Sequence, residues 1–416
     1  MRVMRKDKTP YVPPVKHIEL DEKKIKPRLI LTIVFFIIAI IAITYGVVSM
    51  NSTDDGWRTV EASSKLDGSC LPEIAFQYNL GASGVAAGVE YRELSKVYTE
   101  AADNATKFFN NRYYVDTSNL RTLNDSPNSD ISVAPELYDA LKLLSDSGRR
   151  EMFYAPYYDE YTSLFLCVDE NEAYNFDPKR NPEVEQYINS LSAYVGDKNH
   201  VSLTFGENNT LRLNVSDEYL AFAEDYGITS YVDLYWMKNA FVVDYIAKQL
   251  MENGFYFGSL STFDGYVRNL DKGSGYIYGF NLYDKVGDTV NPAAIMKYSG
   301  QMSVVNYRSY PMTDLDAPYY SEDADGNTLS KYIGGNGYPA SATGSLVMFS
   351  REKSCAEILV STMEYYLADT LDTAEVENIP EISCVYCKDS KVVTNSTDEK
   401  ISFDSFYDGY TLEKVK

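Results

Sequence analysis

The segment 231–270 constrains the fold most strongly, because a helix signal, a helix stop and a strand signal follow one another within it. Apolar residues recur at three- and four-residue spacings over 241–250, which is typical of a helix with one buried face. Gly254 follows, and glycine readily adopts the left-handed conformation at which helices end. The aromatic run 255–260 has the composition of a strand. We therefore predict one compact α/β unit that begins at Asp233.

Similar signals are spread over the rest of the chain. The segment 182–195 has a helical pattern, and 201–215 alternates apolar and polar residues around a Glu-Asn-Asn turn, as a hairpin does. Short strand patterns follow the central unit at 275–282, 294–298 and 303–307. These patterns indicate a domain that contains both helices and a sheet.

The order and spacing of residues in the central unit resemble the ApbE family, the FAD:protein FMN transferases. Asp233, Asp244 eleven residues later and Gly254 ten residues after that follow the family's block D-L-x-x-x-x-K-G-x-x-x-D…G. Asn239 stands at the position of the family's lysine, and an alanine follows it at the position of the glycine. The resemblance therefore rests on spacing more than on identity.

Other segments resemble further blocks of the family in the same order. Residues 129–132 read Ser-Asp-Ile-Ser, as the family does, and 262–265 stand in place of its Gly-Gly-Asp/Asn turn. Residues 331–339 replace the family's H-x-x-D-P-x-T-G-x-P and keep only its glycine and last proline. The missing histidine is the family's favoured base, and His200 precedes the central unit, so we assign no catalytic residue.

The resemblance implies an α+β fold of the ApbE type, which is T-fold-like, over residues 75–416. We expect a mainly antiparallel sheet with helices packed on it. The helix 233–250 should lie on this sheet, with the helix 355–367 nearby.

The resemblance also implies a site for FAD and Mg²⁺. Asp233, Asp244 and Asp264 are the residues expected to contact the cofactor. The family binds magnesium through an aspartate and a threonine four residues apart, and Glu357 and Ser361 stand at those positions. They would share one helix face, and both carry the oxygen ligands that Mg²⁺ prefers. An equally open interpretation is a solvent-facing glutamate with a serine near the start of a helix.

The family reaction transfers FMN from FAD to a serine or threonine of a partner protein. The resemblance thus implies a flavin-related protein with a flavin-acceptor partner at the outer membrane surface. Loss of a general base costs roughly 10²–10⁴-fold in rate, so we expect slow transfer. The alternative is a catalytically inactive protein that uses the same fold to bind flavin or to act as a surface interaction scaffold.

The charge of the chain excludes one class of partner. With 60 acidic and 38 basic residues, the net charge is -22. Nucleic acids need a basic surface that neutralises their phosphates. We therefore expect no nucleic-acid partner.

The N-terminal residues predict a membrane anchor. Residues 29–50 contain no charged residue and are long enough to span a bilayer. The segment 1–28 carries nine Lys/Arg and four Asp/Glu, which favours a cytoplasmic N-terminus. A cleaved signal peptide is the alternative, but its apolar region is usually shorter and ends in a cleavage site. We expect 51–74 to be a polar linker and the bulk of the chain to lie outside the cell.

The five cysteines do not form a disulfide scaffold pattern. Cys384 and Cys387 have C-x-x-C spacing, but a zinc site would need two further ligands. A local disulfide and two free thiols are both compatible with this spacing.

The predicted topology can be tested on intact cells. A single uncleaved span with an outside C-terminus exposes the bulk of the protein, so external protease should remove it while a cytoplasmic marker survives. Immunoblotting with N- and C-terminal tags measures this. A mature protein that begins near residue 50 and is free in the medium would contradict the prediction.

Overall fold

The computed structural model describes residues 34–35, 54–404, 406–407 and 409–415. The predicted basic N-terminus, 1–28, and the predicted span, 29–50, lie outside these residues apart from 34 and 35. No helix among the residues described has the length and apolar character needed to cross a membrane. The predicted anchor therefore stays a prediction.

The strands are short and mostly antiparallel. They are β1 (Gly56–Thr59), β2 (Ile74–Leu80), β3 (Asp130–Ser132), β4 (Val201–Phe205), β5 (Thr210–Val215), β6 (Gly258–Thr262), β7 (Tyr266–Asn269), β8 (Ile277–Val286), β9 (Thr289–Ser299), β10 (Met302–Arg308), β11 (Ser321–Glu322), β12 (Thr328–Leu329), β13 (Ser345–Ser350), β14 (Ser383–Lys388), β15 (Lys391–Thr394), β16 (Ile401–Asp404) and β17 (Thr411–Lys414).

The α-helices fall mainly between β2 and β6. They are α1 (Ala87–Phe109), α2 (Leu120–Asn124), α3 (Pro135–Asp146), α4 (Ala155–Phe165), α5 (Glu170–Ala173), α6 (Pro182–Val195), α7 (Asp217–Tyr226), α8 (Lys238–Glu252), α9 (Cys355–Tyr366) and α10 (Thr373–Val376). Short 3-10 turns occur at Leu71–Glu73, Glu151–Phe153, Tyr235–Met237 and Ala317–Tyr319.

One nine-stranded sheet organises the domain. Its order is β1-β2-β6-β7-β10-β13-β14-β15-β17, and its pairs are antiparallel except for β15 with β17. Two three-stranded sheets, β16-β9-β8 and β3-β5-β4, and the hairpin β11-β12 accompany it. A mainly antiparallel α+β architecture is therefore confirmed.

Helices cover one face of the large sheet. Alternate residues of β2, such as Phe76 and Tyr78, point into the main hydrophobic core, as the two-residue period of a strand requires. Helix α8 lies on this face and buries Val243, Ile246 and Ala247. Helices α1 and α9 pack beside it. The predicted arrangement of the 233–250 and 355–367 helices is thus confirmed.

The opposite face of the sheet is covered over only part of its width. The sheet β16-β9-β8 packs on β10, β13, β14 and β15 through a second apolar cluster that includes Met296, Val304, Val347 and Val392. The face of β2 and β6 is polar, with Gln77, Ser259 and Ser261 at the alternate positions. A groove, described below, lies over this uncovered part.

Helices and strands that were predicted from one clear local pattern are mostly present in the structure. The helix 182–195 and the hairpin within 201–215 are confirmed. Gly254 ends α8 at φ +88°, as predicted, but the following strand starts at Gly258 rather than at residue 255. The predicted linker, 51–74, contributes β1, which pairs with β2 and packs Trp57 against the second apolar cluster.

The cysteines are free thiols in the part of the chain that the structure describes. Cys384 and Cys387 both lie in β14, where an odd spacing places them on opposite faces. The free-thiol interpretation of the C-x-x-C spacing is therefore the one that the structure supports.

A substitution at Gly265 tests the close contact between the β6–β7 turn and β10. Gly265 has φ +115°, and a Cβ there would lie 2.3 Å from the carbonyl oxygen of Asn306. We expect Gly265→Ala to lower the free energy of unfolding by about 1–2 kcal/mol for the left-handed conformation and by about 1–3 kcal/mol more for overpacking. Urea unfolding measures the change.

Gly254→Ala is the matched control. Its φ of +88° imposes a similar strain, but its Cβ would meet nothing within 4 Å. For Gly254→Ala we therefore expect only the loss in free energy of unfolding that comes from the left-handed conformation. Equal losses in the two variants would contradict the close contact with Asn306.

Candidate functional site

A cleft of about 330 Å³ lies in front of the N-terminus of α8. We call it the Asp233 cleft. Its walls are aromatic, its floor is polar, and Arg112 lies at its edge. Its lining includes Glu73, Phe109, Asn111, Arg112, Tyr113, Asp233, Tyr235, Lys238 and Tyr319.

Asp233 is fixed by its neighbours. Its Oδ1 accepts a hydrogen bond from the backbone N–H of Tyr235 at 3.1 Å, and its Oδ2 accepts one from Asn111 at 3.2 Å. Burial raises the pKa of the Asp233 carboxyl, and these two hydrogen bonds oppose the shift. The first predicted cofactor residue therefore faces a cavity and is held in one orientation.

Glu73 joins the start of α8 to the same cleft. It accepts hydrogen bonds from Lys238 Nζ at 2.9 Å and from Asn239 Nδ2 at 2.8 Å, and the Tyr319 hydroxyl lies 3.5 Å away. Burial acts to lower the pKa of Lys238, but Glu73 and the nearby acidic groups outweigh it, so the pKa lies above its ordinary value. Glu73 was not predicted, because an isolated glutamate in a Leu-Pro-Glu turn carries no motif.

Asp264 lies behind the cleft in a buried ion pair. Lys331 Nζ is 3.3 Å from Asp264 Oδ2 and donates to the Asp264 backbone carbonyl at 3.1 Å. The side chains are 3% and 1% exposed for Asp264 and Lys331, so water does not screen the pair. Burial lowers the pKa of Lys331, and the Asp264 charge opposes that shift. The Lys331 ammonium also lies 5.1 Å from the centre of the Tyr319 ring.

A second buried ion pair adjoins the first. Arg308 Nη2 is 3.0 Å from Asp316 Oδ2 and donates to the carbonyl of Phe263 at 2.7 Å. Asp316 also accepts from the backbone N–H groups of Met312 and Thr313. Neither residue was predicted, since their partners are distant in sequence or are backbone atoms.

Asp244 caps a helix and does not line the cleft. Its carboxylate accepts from the backbone N–H groups of Cys355 at 3.1 Å and Ala356 at 2.8 Å, which are otherwise unpaired at the start of α9. Arg268 Nε lies 3.9 Å from Asp244. Burial raises the pKa of Asp244, and the Arg268 charge opposes the shift. The role of Asp244 seen here is to join α8 to α9.

Glu357 stabilises the start of α9, and Ser361 bonds within the same helix. Ser354 Oγ accepts from Glu357 N at 3.2 Å, and Glu357 Oε2 accepts from Ser354 N at 2.8 Å, which is a capping box. Ser361 Oγ donates to the Glu357 carbonyl at 2.8 Å. Among the described residues, no group of three or more His, Cys, Asp or Glu side chains could hold a metal ion. The predicted role of Glu357 and Ser361 as magnesium ligands therefore stays a prediction.

The structure thus divides the predicted residues into two groups. Asp233 and Asp264 lie at or behind the cleft, and Tyr319 and Glu73 connect them. Asp244 and Glu357 lie at the N-terminus of α9, and Ser361 lies one turn further along that helix. His200 belongs to neither group, because its Nδ1 lies 2.8 Å from Ser216 Oγ beside the β4–β5 hairpin.

The capping role of Glu357 can be separated from metal binding. Glu357→Ala should lower the free energy of unfolding by about 1 kcal/mol, since a helix cap is lost. Glu357→Gln keeps an oxygen that accepts the same bond and should be close to neutral. Thermal unfolding with and without MgCl₂ measures both. A Tm that rises with Mg²⁺ in the natural protein and not in Glu357→Gln would show that Glu357 binds the metal.

Comparison with known proteins identifies the fold. No protein-family model and no curated protein matches the chain. The ApbE protein of Thermotoga maritima matches with a TM-score of 0.54 at 14% identity, over 84% of this chain and 96% of that one. The flavin transferase ApbE of Vibrio cholerae matches with a TM-score of 0.54 at 15% identity, over 84% of this chain and 97% of that one. The resemblance found in the sequence is thereby confirmed at the level of structure, and the chain has the ApbE fold.

Proposed function

We propose that this protein is a membrane-anchored, flavin-binding protein of the ApbE fold that transfers FMN slowly or not at all. One observation carries the proposal. Asp233 lines one tyrosine-lined cleft, and residues of three other ApbE-like positions are connected to that cleft through its lining. Asn239 donates to Glu73, and Lys331, which is paired with Asp264, lies against the ring of Tyr319. Spacing in the sequence alone does not require such convergence.

The Asp233 cleft suits a flavin ring better than a complete dinucleotide. Its volume of about 330 Å³ lies near the lower end of the roughly 300–1,000 Å³ found for small-molecule sites. Tyr113, Tyr235 and Tyr319 offer aromatic surface for a planar ring. Within the described part of the chain, the Arg112 guanidinium at the edge makes no ion pair, so a phosphate group would find a cation there. The residues present therefore fit FMN.

The cations and bases that could assist phosphoryl-type transfer are already paired with other groups of the protein. Such a reaction depends on charge neutralisation at the phosphates and on a base for the attacking hydroxyl. Lys238 is paired with Glu73, and Lys331 with Asp264. Glu357 caps α9, and His200 lies at the β4–β5 hairpin. In the part of the chain that the structure describes, these contacts occupy the candidate cations and bases, which favours slow or absent transfer.

The location belongs to the same proposal. The basic segment 1–28 and the uncharged segment 29–50 support a single-pass protein whose domain lies outside the cell. A flavin-acceptor protein at the outer membrane surface is the partner for any residual transfer.

A scaffold without a ligand is the second candidate. Three ion pairs neutralise one another within the domain: Lys238 with Glu73, Lys331 with Asp264, and Arg308 with Asp316. A domain whose internal charges are balanced in this way folds without a cofactor, and its fold does not require it to bind one.

Flavin titration distinguishes the two candidates. We expect the full-length protein, in a mild detergent, to bind FMN with micromolar affinity in calorimetry and to bind riboflavin more weakly. Arg112→Ala should weaken FMN binding about tenfold, because a charge-assisted contact to phosphate is lost, and should leave riboflavin binding unchanged. Arg92→Ala, an exposed arginine on α1, is the matched control.

Two outcomes would change the conclusion. If neither FMN nor FAD binds to a protein that unfolds normally, the scaffold is the better description. If FAD, MgCl₂ and an acceptor protein give covalent FMN by mass spectrometry at about 1 s⁻¹ or faster, the protein is an active transferase and another residue acts as the base.

A further inference from the structure

A second cavity of about 530 Å³ lies on the face of the large sheet opposite to α8. We call it the sheet groove. Phe76 and Leu260 point into the core on the helix side, so their strand neighbours Gln77, Ser259 and Ser261 face the groove. The strands β8 and β9 form its other side. The groove exists because the β16-β9-β8 sheet covers only the β10–β15 part of this face.

Aromatic rings form one wall of the sheet groove. The ring centre of Trp57 lies 4.6 Å from that of Tyr276 and 5.8 Å from that of Tyr278, and the two tyrosine rings are 5.1 Å apart. The rings are inclined to one another by 45°, 86° and 71°. Tyr276 is 41% exposed. The wall therefore offers ring faces and edges at several angles rather than a parallel slot for a flat ring system.

Two residues that line the groove carry a donor that lacks an acceptor within the described part of the chain. These donors are Nε of Arg308, which is 6% exposed, and Nε1 of Trp57. Buried donors are nearly always satisfied in folded proteins. These two indicate a ligand that carries acceptors.

The lining of the groove selects a neutral ligand. Arg308 is the charged residue among the lining residues that the structure describes, and it is paired with Asp316 at 3.0 Å. The other polar groups are hydroxyls and carboxamides, which both donate and accept: Gln77, Ser259, Ser261, Thr262, Asn281, Asn306 and Thr313. A ligand that matches them must itself both donate and accept at many positions.

We propose that the sheet groove binds a neutral saccharide. The hydroxyl groups of a sugar donate and accept at once, as the carboxamides and hydroxyls of the groove require. The apolar C–H surface of a sugar ring packs on inclined aromatic rings such as Trp57 and Tyr276. This site lies on the other side of the sheet from the Asp233 cleft, so it does not depend on flavin binding.

Tryptophan fluorescence gives a selective readout of this site. The chain has two tryptophans, and Trp236 is fully buried in the main core. A ligand-dependent change in fluorescence therefore reports on Trp57. We would titrate the full-length protein, in a detergent without a sugar headgroup, with cellotetraose, maltotetraose and chitotetraose, and with glucose and N-acetylglucosamine.

We expect saturable binding of at least one tetrasaccharide. Tyr276→Ala and Gln77→Ala should each weaken it about tenfold, and neither should shift the Tm strongly, because both side chains reach solvent. Tyr226→Ala is the control, since Tyr226 is 50% exposed and does not line the groove. Stronger binding of the tetrasaccharide than of its monosaccharide identifies a polysaccharide as the ligand, and equal binding identifies a free sugar.

Other results would overturn the proposal. One is the absence of binding by every sugar tested, in a protein with normal unfolding. Another is an affinity that Tyr276→Ala and Gln77→Ala leave unchanged. A Trp57 response to FAD that the sugars do not produce or compete with would assign the groove to flavin instead.

Discussion

The interior of this domain depends on a lysine that has no access to water. Lys331 and Asp264 are buried together, and removing two charges from water is costly unless further hydrogen bonds complete the pair. The Asp264 carbonyl and the ring of Tyr319 supply such contacts to the ammonium. The pair ties the segment 331–339 to the β6–β7 turn, and the Lys331 ammonium lies against Tyr319, which lines the Asp233 cleft.

The Lys331–Asp264 pair also limits the ability of the cleft to neutralise a phosphate group. A cation that neutralises a buried carboxylate cannot also neutralise a phosphate without leaving Asp264 uncompensated, which typically costs about 3–5 kcal/mol. Lys238 is under a milder constraint, because Glu73 holds it at 2.9 Å while both side chains keep partial contact with water. Arg112 at the edge is under neither constraint. The charge distribution thus favours binding at the edge of the cleft over chemistry at its floor.

The sequence predicts those parts of the fold that depend on local signals. The apolar spacing of α8 and the left-handed Gly254 are such signals, and both are confirmed. The edge strand β1 was not predicted, because a four-residue strand with one apolar residue, Trp57, is too short to show a strand pattern, and its pairing with β2 depends on main-chain hydrogen bonds. Residues around the cleft were harder to predict, since Glu73 gains its role from Lys238 and Asn239, which are far away in the chain.

The helix cap at α9 shows a second reason why the roles of site residues are difficult to predict from the sequence. A carboxylate that caps a helix and one that binds a metal both lie near a helix N-terminus, so spacing alone does not separate them. Ser354 followed three residues later by Glu357 is a capping-box pattern, and this signal was available in the sequence. Asp244 could not be identified in the same way, because it caps α9 from the neighbouring helix.

The β6–β7 turn connects the two cavities. Phe263 and Gly265 line the sheet groove, whereas Asp264 between them points to Lys331 on the side of the cleft. The Phe263 carbonyl accepts from Arg308, whose Nε also lines the groove without a partner. A turn with φ +115° at Gly265 and a buried ion pair at Asp264 has few alternative conformations. The two faces of the sheet therefore share a rigid element, and the geometry of each cavity depends on how that turn is held.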